Sequence, residues 1–365
     1  MGQPRKIGIV GLGVISQVYL ETLTTHPAVQ VTTVADLDRD RADRVAADIP
    51  GARAATVADL VSSDDVDLVL NLTIPAAHAE IALAAISHGK DVYGEKPLAA
   101  TFADGAEIIR AGAVAGVRVG SAPDTVLGTG TQTARALIDA GRIGRPLAAS
   151  AVMVTPGHEA WHPNPDFYYR PGGGPLLDMG PYYLSALVHL LGPVRSVTGA
   201  SSQLRSERVI AVGPRAGEVI PVDTPTHVSG VLEHHNGALS TITTSFDSVA
   251  TTAAPIEVHG ETGSISVPDP NQFDGDVLLH PLAGPGWQPI DPVAGYTGAA
   301  RGVGLLDSLT ETPRATGELA LHVLEVMTAL LTAAETGVRQ QITTGCTRPV
   351  PIPLGPVLPR SAPSQ

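Results

Sequence analysis

Short apolar runs recur along the first third of the chain, separated by segments with helical spacing. "KIGIV" (6–10), "VQVTTVAD" (29–36), "VDLVLNLT" (66–73), "KDVYGEK" (90–96) and "VRVGSAP" (117–123) read as buried strands. Ser16–Thr25, Arg39–Asp48, Ala77–Ser87 and Phe102–Ala115 read as the intervening helices. Strands that are apolar throughout, joined by helices, predict a parallel sheet with crossover connections. Val126–Ala140 reads as a further helix, closed by the glycines of "GRIG".

From Arg145 to about Ile290 the pattern changes to alternating, β-branched segments: "PLAASAVMV", "VRSVTGASSQL", "THVSGVLEHHNGALSTITTSF" and "IEVHGETGSISV". The "HNGA" in the third predicts a hairpin, because Asn-Gly favours the tightest turns. This region reads as a largely antiparallel sheet, interrupted by a helix within "GGGPLLDMGPYYLSALVHLLG" (172–192), and helix returns over Thr316–Glu335. The expected class is α/β: a parallel-sheet domain over 1–122, an α/β domain with a large, mostly antiparallel sheet over 123–345, and a proline-rich tail over 346–365.

Composition changes this picture little. At 365 residues with 43% hydrophobic and 16% charged positions, the chain has ample material for two cores. A net charge of −13 argues against a nucleic-acid or anionic-membrane partner. Cys346 is the single cysteine, which excludes an intramolecular disulfide and a CxxC zinc site. No HExxH or clustered carboxylate–histidine spacing appears, so no metal is expected. No apolar run approaches the roughly 18 residues that span a bilayer, and no signal-like segment opens the chain, so a cytoplasmic location is expected.

"GIVGLGVIS" places Gly11-x-Gly13-x-x-Ser16, with Val14 and Ile15 between, directly after a strand and at a helix start. Gly11 permits the tight turn, Gly13 lets the backbone approach a pyrophosphate at the helix N-terminus, and Ser16 is small enough for close packing. Asp36 ends the second strand, where a carboxylate accepts hydrogen bonds from a ribose. Asp36 and Asp38 repel a 2′-phosphate, which favours NAD over NADP, although Arg39 offers a counter-charge.

"NLTIPAAHAEIALAAISHGKDVYGEKPLA" adds Thr73, Pro75 and His78, then Glu95, Lys96 and Pro97. Together with the glycine motif and "GGGPLLDMG", this resembles the Gfo/Idh/MocA oxidoreductase family over nearly the whole chain, Lys6 to about Ile342. The resemblance implies a Rossmann domain followed by an open-sheet domain often used for oligomerisation, hence a homodimer or homotetramer. It also implies NAD(P)-dependent redox chemistry on a secondary hydroxyl of a small carbohydrate substrate. Thr73, Pro75, His78, Glu95 and Lys96 then fall beside the cofactor.

Moving a hydride from a carbinol carbon requires a cation near the oxygen and a base for its proton. Lys96 fits the first role, with Glu95 to orient it. Pro181 is tolerated only in a first helical turn, which places the helix start and its N-cap near Asp178; that carboxylate then also serves the site, orienting the hydroxyl and Lys96. Gly172–Gly174 leave the backbone free to approach the nicotinamide. The family usually has histidine four residues after this aspartate, and here Tyr182 stands instead. A phenol ordinarily titrates near 10, so Tyr182 is a neutral donor unless a cation lowers it. His158, in "TPGHEAWHPNPDFYY", is the other candidate for the proton, with Trp161, His162 and Tyr168 as a face for a sugar ring. His227 and Arg301 are weaker substrate-contact candidates, and the paired His234 and His235 read as solvated. Two other functions remain open: a glycoside-cleaving enzyme working through transient C3 oxidation with tightly held NAD, and a cofactor-binding regulator without catalysis.

Overall fold

The computed structural model describes residues 3–357. The chain forms two units, each discontinuous in sequence: one runs through Gly128 and takes in Tyr296–Leu324 and the segment from Ile352, the other holds Thr129–Gly295 and Glu325–Pro351.

The first unit alternates strand and helix: β1 (Arg5–Val10), α1 (Val14–Leu23), β2 (Val29–Ala35), α2 (Arg39–Asp48), β3 (Arg53–Ala54), α3 (Val57–Ser62), β4 (Leu68–Asn71), α4 (Pro75–Ser87), β5 (Asp91–Gly94), α5 (Phe102–Ala115) and β6 (Val119–Ser121). All pairings are parallel, in the order β3-β2-β1-β4-β5-β6. Ile7, Ile9, Val34, Val69 and Leu70 are wholly buried, as a sheet covered on both faces requires. The order reverses between β1 and β4, and such a switch point opens a crevice at the carboxyl ends of the strands. The short β3 and α3 carry too little periodicity to be read from sequence.

The second unit contains α6 (Thr129–Asp139), β7 (Pro146–Val154), α7 (Pro175–Leu191), β8 (Val194–Ser202), β9 (Glu207–Val209), β10 (Val219–Pro221), β11 (His227–His234), β12 (Leu239–Ser245), β13 (Ile256–Gly260), β14 (Gly263–Val267), β15 (Val277–Pro281) and β16 (Gln288–Ile290). Strand β10 pairs only with β9. The other strands join one sheet, mostly antiparallel, in which β7 and β12 make the parallel pair. The hairpin expected at Asn236-Gly237 forms, but over a three-residue loop instead of the tightest turn: the His234 N–H bonds the Ala238 carbonyl, and Gly237 alone takes a positive φ, +87°.

The chain then enters α8 (Val303–Ser308) and α9 (Gly317–Thr336), and β17 (Gln340–Gln341) adds to the edge of the large sheet at β8. The expected boundaries at 122/123 and 345/346 therefore do not describe the units. Tyr296 bridges Gly128 on one side and Gly355 on the other, which draws both later segments onto the first unit. The tail expected over 346–365 is docked where it is described: Ile352 is buried, and Arg348 donates to the carbonyls of His189 and Leu190. Residues 358–365 lie outside the described residues.

Helix α7 departs from its expected start. Pro175 takes the first turn and Gly174 the cap, so Pro181 lies inside the helix and Asp178 is not the N-cap. The Asp178 N–H already bonds to the Gly174 carbonyl. From Gly180 to Leu191 every residue is buried, so α7 is a central helix rather than an amphipathic surface one. Helix α9 is long and apolar enough to cross a membrane by length and composition, contrary to the reading of the sequence, but most of it is buried in the protein.

Glu325 on α9 accepts from both the N–H and the hydroxyl of Thr343 and of Thr344. Burial works to raise its carboxyl, but these four donors outweigh it and hold it below its ordinary value. A depressed folded value contributes stability above the unfolded value, and that stability is lost as pH falls through the folded one. Glu325→Gln presents an amide N–H₂ to two of these donors; we expect a cost of about 1–3 kcal/mol near neutrality, shrinking toward acid pH. Thermal unfolding of both proteins across pH 3–8 measures it.

Candidate active site

At the carboxyl ends of β1, β2 and β4 the glycine loop takes its expected form. Gly11 has φ +91°, and a Cβ there would lie 2.8 Å from the Leu72 carbonyl and the Thr73 nitrogen, so only glycine closes the turn. Gly13 caps α1, and a Cβ on it would meet nothing within 4 Å, which leaves the helix N-terminus open to an anionic group. Ser16 is buried with its hydroxyl on the Gly13 carbonyl at 2.7 Å. Val14 on α1, Leu37 after β2 and Ile74 after β4 are exposed large apolar side chains, while Ile15 is partly covered.

Asp36 accepts the Leu12 N–H at 2.7 Å and the Asp38 N–H at 2.9 Å. A carboxylate has about four acceptor positions, so capacity remains for ribose hydroxyls. Arg41 reaches both Asp36 and Asp38, whereas Arg39 pairs with Asp43. The turn from β2 into α2 points Arg41 back because Asp38 caps the helix on the Arg41 N–H.

The loops after β4 and β5 are tied to each other. Thr73 donates its hydroxyl to Asn71 Oδ1 at 2.7 Å, and Asn71 donates in turn to the His78 carbonyl. The His78 ring is buried between two carbonyls, with Nδ1 2.7 Å from Pro97 O and Nε2 3.0 Å from Thr73 O. Both ring nitrogens are engaged within the chain, so His78 clamps the loops instead of facing a cofactor. Pro75, at the first turn of α4, is exposed. Lys96 follows the end of β5, half-buried, in a cis peptide with Pro97. Glu95 accepts from the Tyr19 hydroxyl at 2.8 Å and from the Lys96 backbone N–H at 3.0 Å. Asn71, Tyr19 and Arg41 escaped the reading of the sequence, since nothing in their spacing marks them.

Arg301 lies with this first unit, mostly buried and paired with Asp124 at 3.4 Å. Asp124 also accepts the N–H groups of Gly302 and Gly304. Burial pushes the Asp124 carboxyl up, and Arg301 and these two donors oppose it. Arg301, a weak candidate for substrate contact, thus anchors a loop through Asp124.

The second unit gathers most of the other candidates. His158 opens a short 3₁₀ turn, and its Nε2 lies 3.0 Å from Asp178 Oδ2 on α7. Around its ring stand Trp161 at 5.1 Å, Tyr168 at 4.3 Å and Phe246 at 4.3 Å between centroids. His162 and Phe167 extend the cluster, with His162 edge-on to Trp161 and Tyr168. His158 Nδ1 is buried without a hydrogen-bond partner among the described residues. Tyr182 follows Asp178 by one helical turn and is nearly fully buried. Of Gly172–Gly174, Gly172 keeps open space beside its backbone, whereas Gly173 and Gly174 are packed against the chain. A Cβ on Gly173 would lie 2.4 Å from the Phe167 carbonyl and one on Gly174 2.9 Å from the Pro225 carbonyl, so these glycines seat α7 against its own chain.

The remaining histidines lie elsewhere. His227 begins β11 half-buried, with Nε2 3.3 Å from the Ser229 hydroxyl, outside the aromatic cluster. His234 is buried between the Gly192 carbonyl and the Ser240 hydroxyl, which corrects its reading as solvated, while His235 is exposed. No group of three or more metal-ligating side chains occurs among the described residues.

A switch-point crevice carrying a glycine loop and a strand-end aspartate, joined in one chain to an open-sheet domain, defines a dinucleotide-binding oxidoreductase architecture. Residues 5–122 match the oxidoreductase family's NAD-binding Rossmann fold, and 131–266 match the GFO/IDH/MocA C-terminal domain. The chain is 31% identical over 304 residues to a 1,5-anhydro-D-fructose reductase of Ensifer adhaerens, an alignment covering 81% of this chain and 85% of that one. It is 37% identical over 155 residues to inositol 2-dehydrogenase 3 of Saccharopolyspora erythraea, covering 41% and 45% respectively. A levoglucosan dehydrogenase solved with NADH and levoglucosan shares the fold, with TM-score 0.76, 19% identity, and coverage of 94% of this chain and 100% of that one. This protein belongs to the GFO/IDH/MocA oxidoreductase family, and its cofactor is NAD.

Asp36→Ala deletes the acceptor for the Leu12 N–H together with the ribose acceptor. Loss of charge-assisted hydrogen bonds of this kind raises the NADH dissociation constant between about 10- and 100-fold. Fluorescence titration with NADH measures this, and NADPH binding is expected to weaken less.

Proposed function

We propose that this protein moves hydride between NAD and a secondary hydroxyl of a sugar or polyol, with the His158–Asp178 pair carrying the hydroxyl proton. The supporting observation is the 3.0 Å contact between His158 Nε2 and Asp178 Oδ2, made by a ring set among aromatic side chains. The relatives' sugar and cyclitol substrates support the substrate class. When bound, the nicotinamide supplies the hydride acceptor or donor; the glycine loop and Asp36 hold its diphosphate and ribose.

The chain's own residues do the rest. Asp178 accepts a hydrogen bond from the His158 Nε2–H and so fixes the ring's orientation and tautomer; the open nitrogen Nδ1 is buried, so the substrate hydroxyl meets the pair at the Asp178 carboxylate. The proton of the reacting hydroxyl passes to this pair, which replaces the histidine that relatives carry at the position of Tyr182. Tyr182 is assigned as a neutral hydrogen-bond donor in this scheme. Lys96 is assigned the stabilisation of the developing alkoxide, the charge that forms as hydride departs. Trp161 and Phe167, each 56% exposed, with His162 and Tyr168, offer ring faces and polar edges to the C–H and O–H groups of a sugar.

One observation favours a second reading. The exposed faces of Trp161 and Phe167 extend the aromatic surface beyond His158, which suits a glycoside with a second ring and hence redox-neutral cleavage. Purified protein supplied with NAD and a panel of polyols, anhydrosugars, free sugars and glycosides separates the two. Net oxidation shows as growth of the NADH absorbance band, whereas cleavage releases product with that band unchanged. In either case His158→Ala is expected to lower kcat by about 100-fold or more while leaving NADH affinity intact. Undiminished turnover in that variant would remove the proton-transfer role.

A further inference from the structure

Beneath His158 lies a buried ionic cluster that the proposed chemistry does not use. Arg208 on β9 is almost wholly buried. It donates to Glu159 Oε1 at 2.8 Å and pairs closely with Asp247. The same guanidinium donates to the Pro156 carbonyl at 3.0 Å and the Phe246 carbonyl at 2.9 Å. Tyr169 donates its hydroxyl to Glu159 in a short hydrogen bond, and the same oxygen accepts the His158 backbone N–H at 3.0 Å. The Arg208 guanidinium also lies 5.4 Å from the centre of the Tyr169 ring. Thr226 completes the set by donating to Asp247 at 2.6 Å.

These bonds bracket one residue. Pro156 precedes His158 by two positions, Glu159 follows it, Tyr169 holds its amide, and Phe246 packs on its ring. Gly157 permits the tuck, since at φ +121° a Cβ would lie 2.3 Å from a Glu159 carboxylate oxygen. A cluster serving only to join β9 to its neighbours has no need of Tyr169, whose hydroxyl hydrogen-bonds both Glu159 and the His158 main-chain N–H. Burial, and then the neighbouring Glu159, push the Tyr169 phenol well above its ordinary value, which keeps it a neutral donor.

We infer that Tyr169, Glu159 and Arg208 are positioning residues that hold the His158 imidazole on Asp178. The kinetic consequence rests on the proton-transfer reading of His158; the structural consequence does not. Tyr169→Phe removes the linking hydroxyl but keeps the ring under Arg208, and Glu159→Gln keeps the shape while unbalancing the guanidinium.

Carbethoxylation by diethyl pyrocarbonate, followed residue by residue through peptide mass spectrometry, reads the imidazole without any substrate. In the wild-type protein His158 should react slowly, because its open nitrogen is buried. In both variants its rate should rise at least several-fold, while buried His78 and His234 stay unreactive, as a general loosening would not leave them. With a substrate found in the panel above, kcat should fall between about 10- and 100-fold, as for a displaced catalytic group, with KM and NADH affinity unchanged. An unaltered His158 rate in both variants overturns the inference, as does a rise shared equally by His78 and His234. A selective rise at His158 accompanied by full turnover in His158→Ala upholds the positioning and instead overturns the catalytic role of His158.

Discussion

A buried guanidinium must be paired, and in the second unit that requirement organises everything near His158. Arg208 has lost its water, so its donors have to find acceptors within the fold. The two terminal nitrogens find Glu159, Asp247 and two main-chain carbonyls, drawn from the 3₁₀ turn of His158, the end of β12 and the segment before the turn, while Nε is left without a partner among the described residues. Breaking a buried pair of this kind by deleting one partner typically costs about 3–5 kcal/mol, because the other charge stays behind uncompensated. The aromatic loop is thereby tied to β9 and to the end of β12, although it contains only short 3₁₀ turns. Arg215 adds a two-pronged hold on Asp166 farther along the same loop.

The first unit secures its functional loops mainly by answering main-chain groups, and the buried Glu95 takes part. Its functional loops follow parallel strands, where the ladder ends and main-chain groups lose their partners. Asn71 and His78 answer those groups after β4, and Glu95 answers the Lys96 N–H after β5. The same residues that resemble a family signature are thus explained by local accounting: a carbonyl or an amide at a strand end needs a mate that does not leave. Lys96 is delivered by a backbone pinned through Glu95 to Tyr19 on α1. Function and loop stability share their atoms here.

Much of the architecture was legible beforehand. The strands and helices of the first sheet, the glycine loop and the Asn-Gly hairpin appear where their local signals put them, because each signal is physical at short range. Failures have a common character. Pro181 was read as a helix start by the usual exclusion of proline from helix interiors, but Pro175 had already taken that place. His234 looked solvated beside a turn and is instead buried between Gly192 and Ser240. Each depended on which of several equivalent neighbours the fold selects.

The sequence by itself determined the two-part α/β plan, the nucleotide loop and the family signature, since these are written in periodicity, glycine placement and short motifs. Tertiary structure alone decided that His158 meets Asp178, twenty positions away, and that Arg208 and Tyr169 stand behind it. It also decided that Tyr296–Leu324 and the segment from Ile352 return to the first unit. The physical reason is that such pairings are chosen by burial: a charge or an imidazole commits to whichever partner remains when water is excluded, and no local pattern encodes that partner.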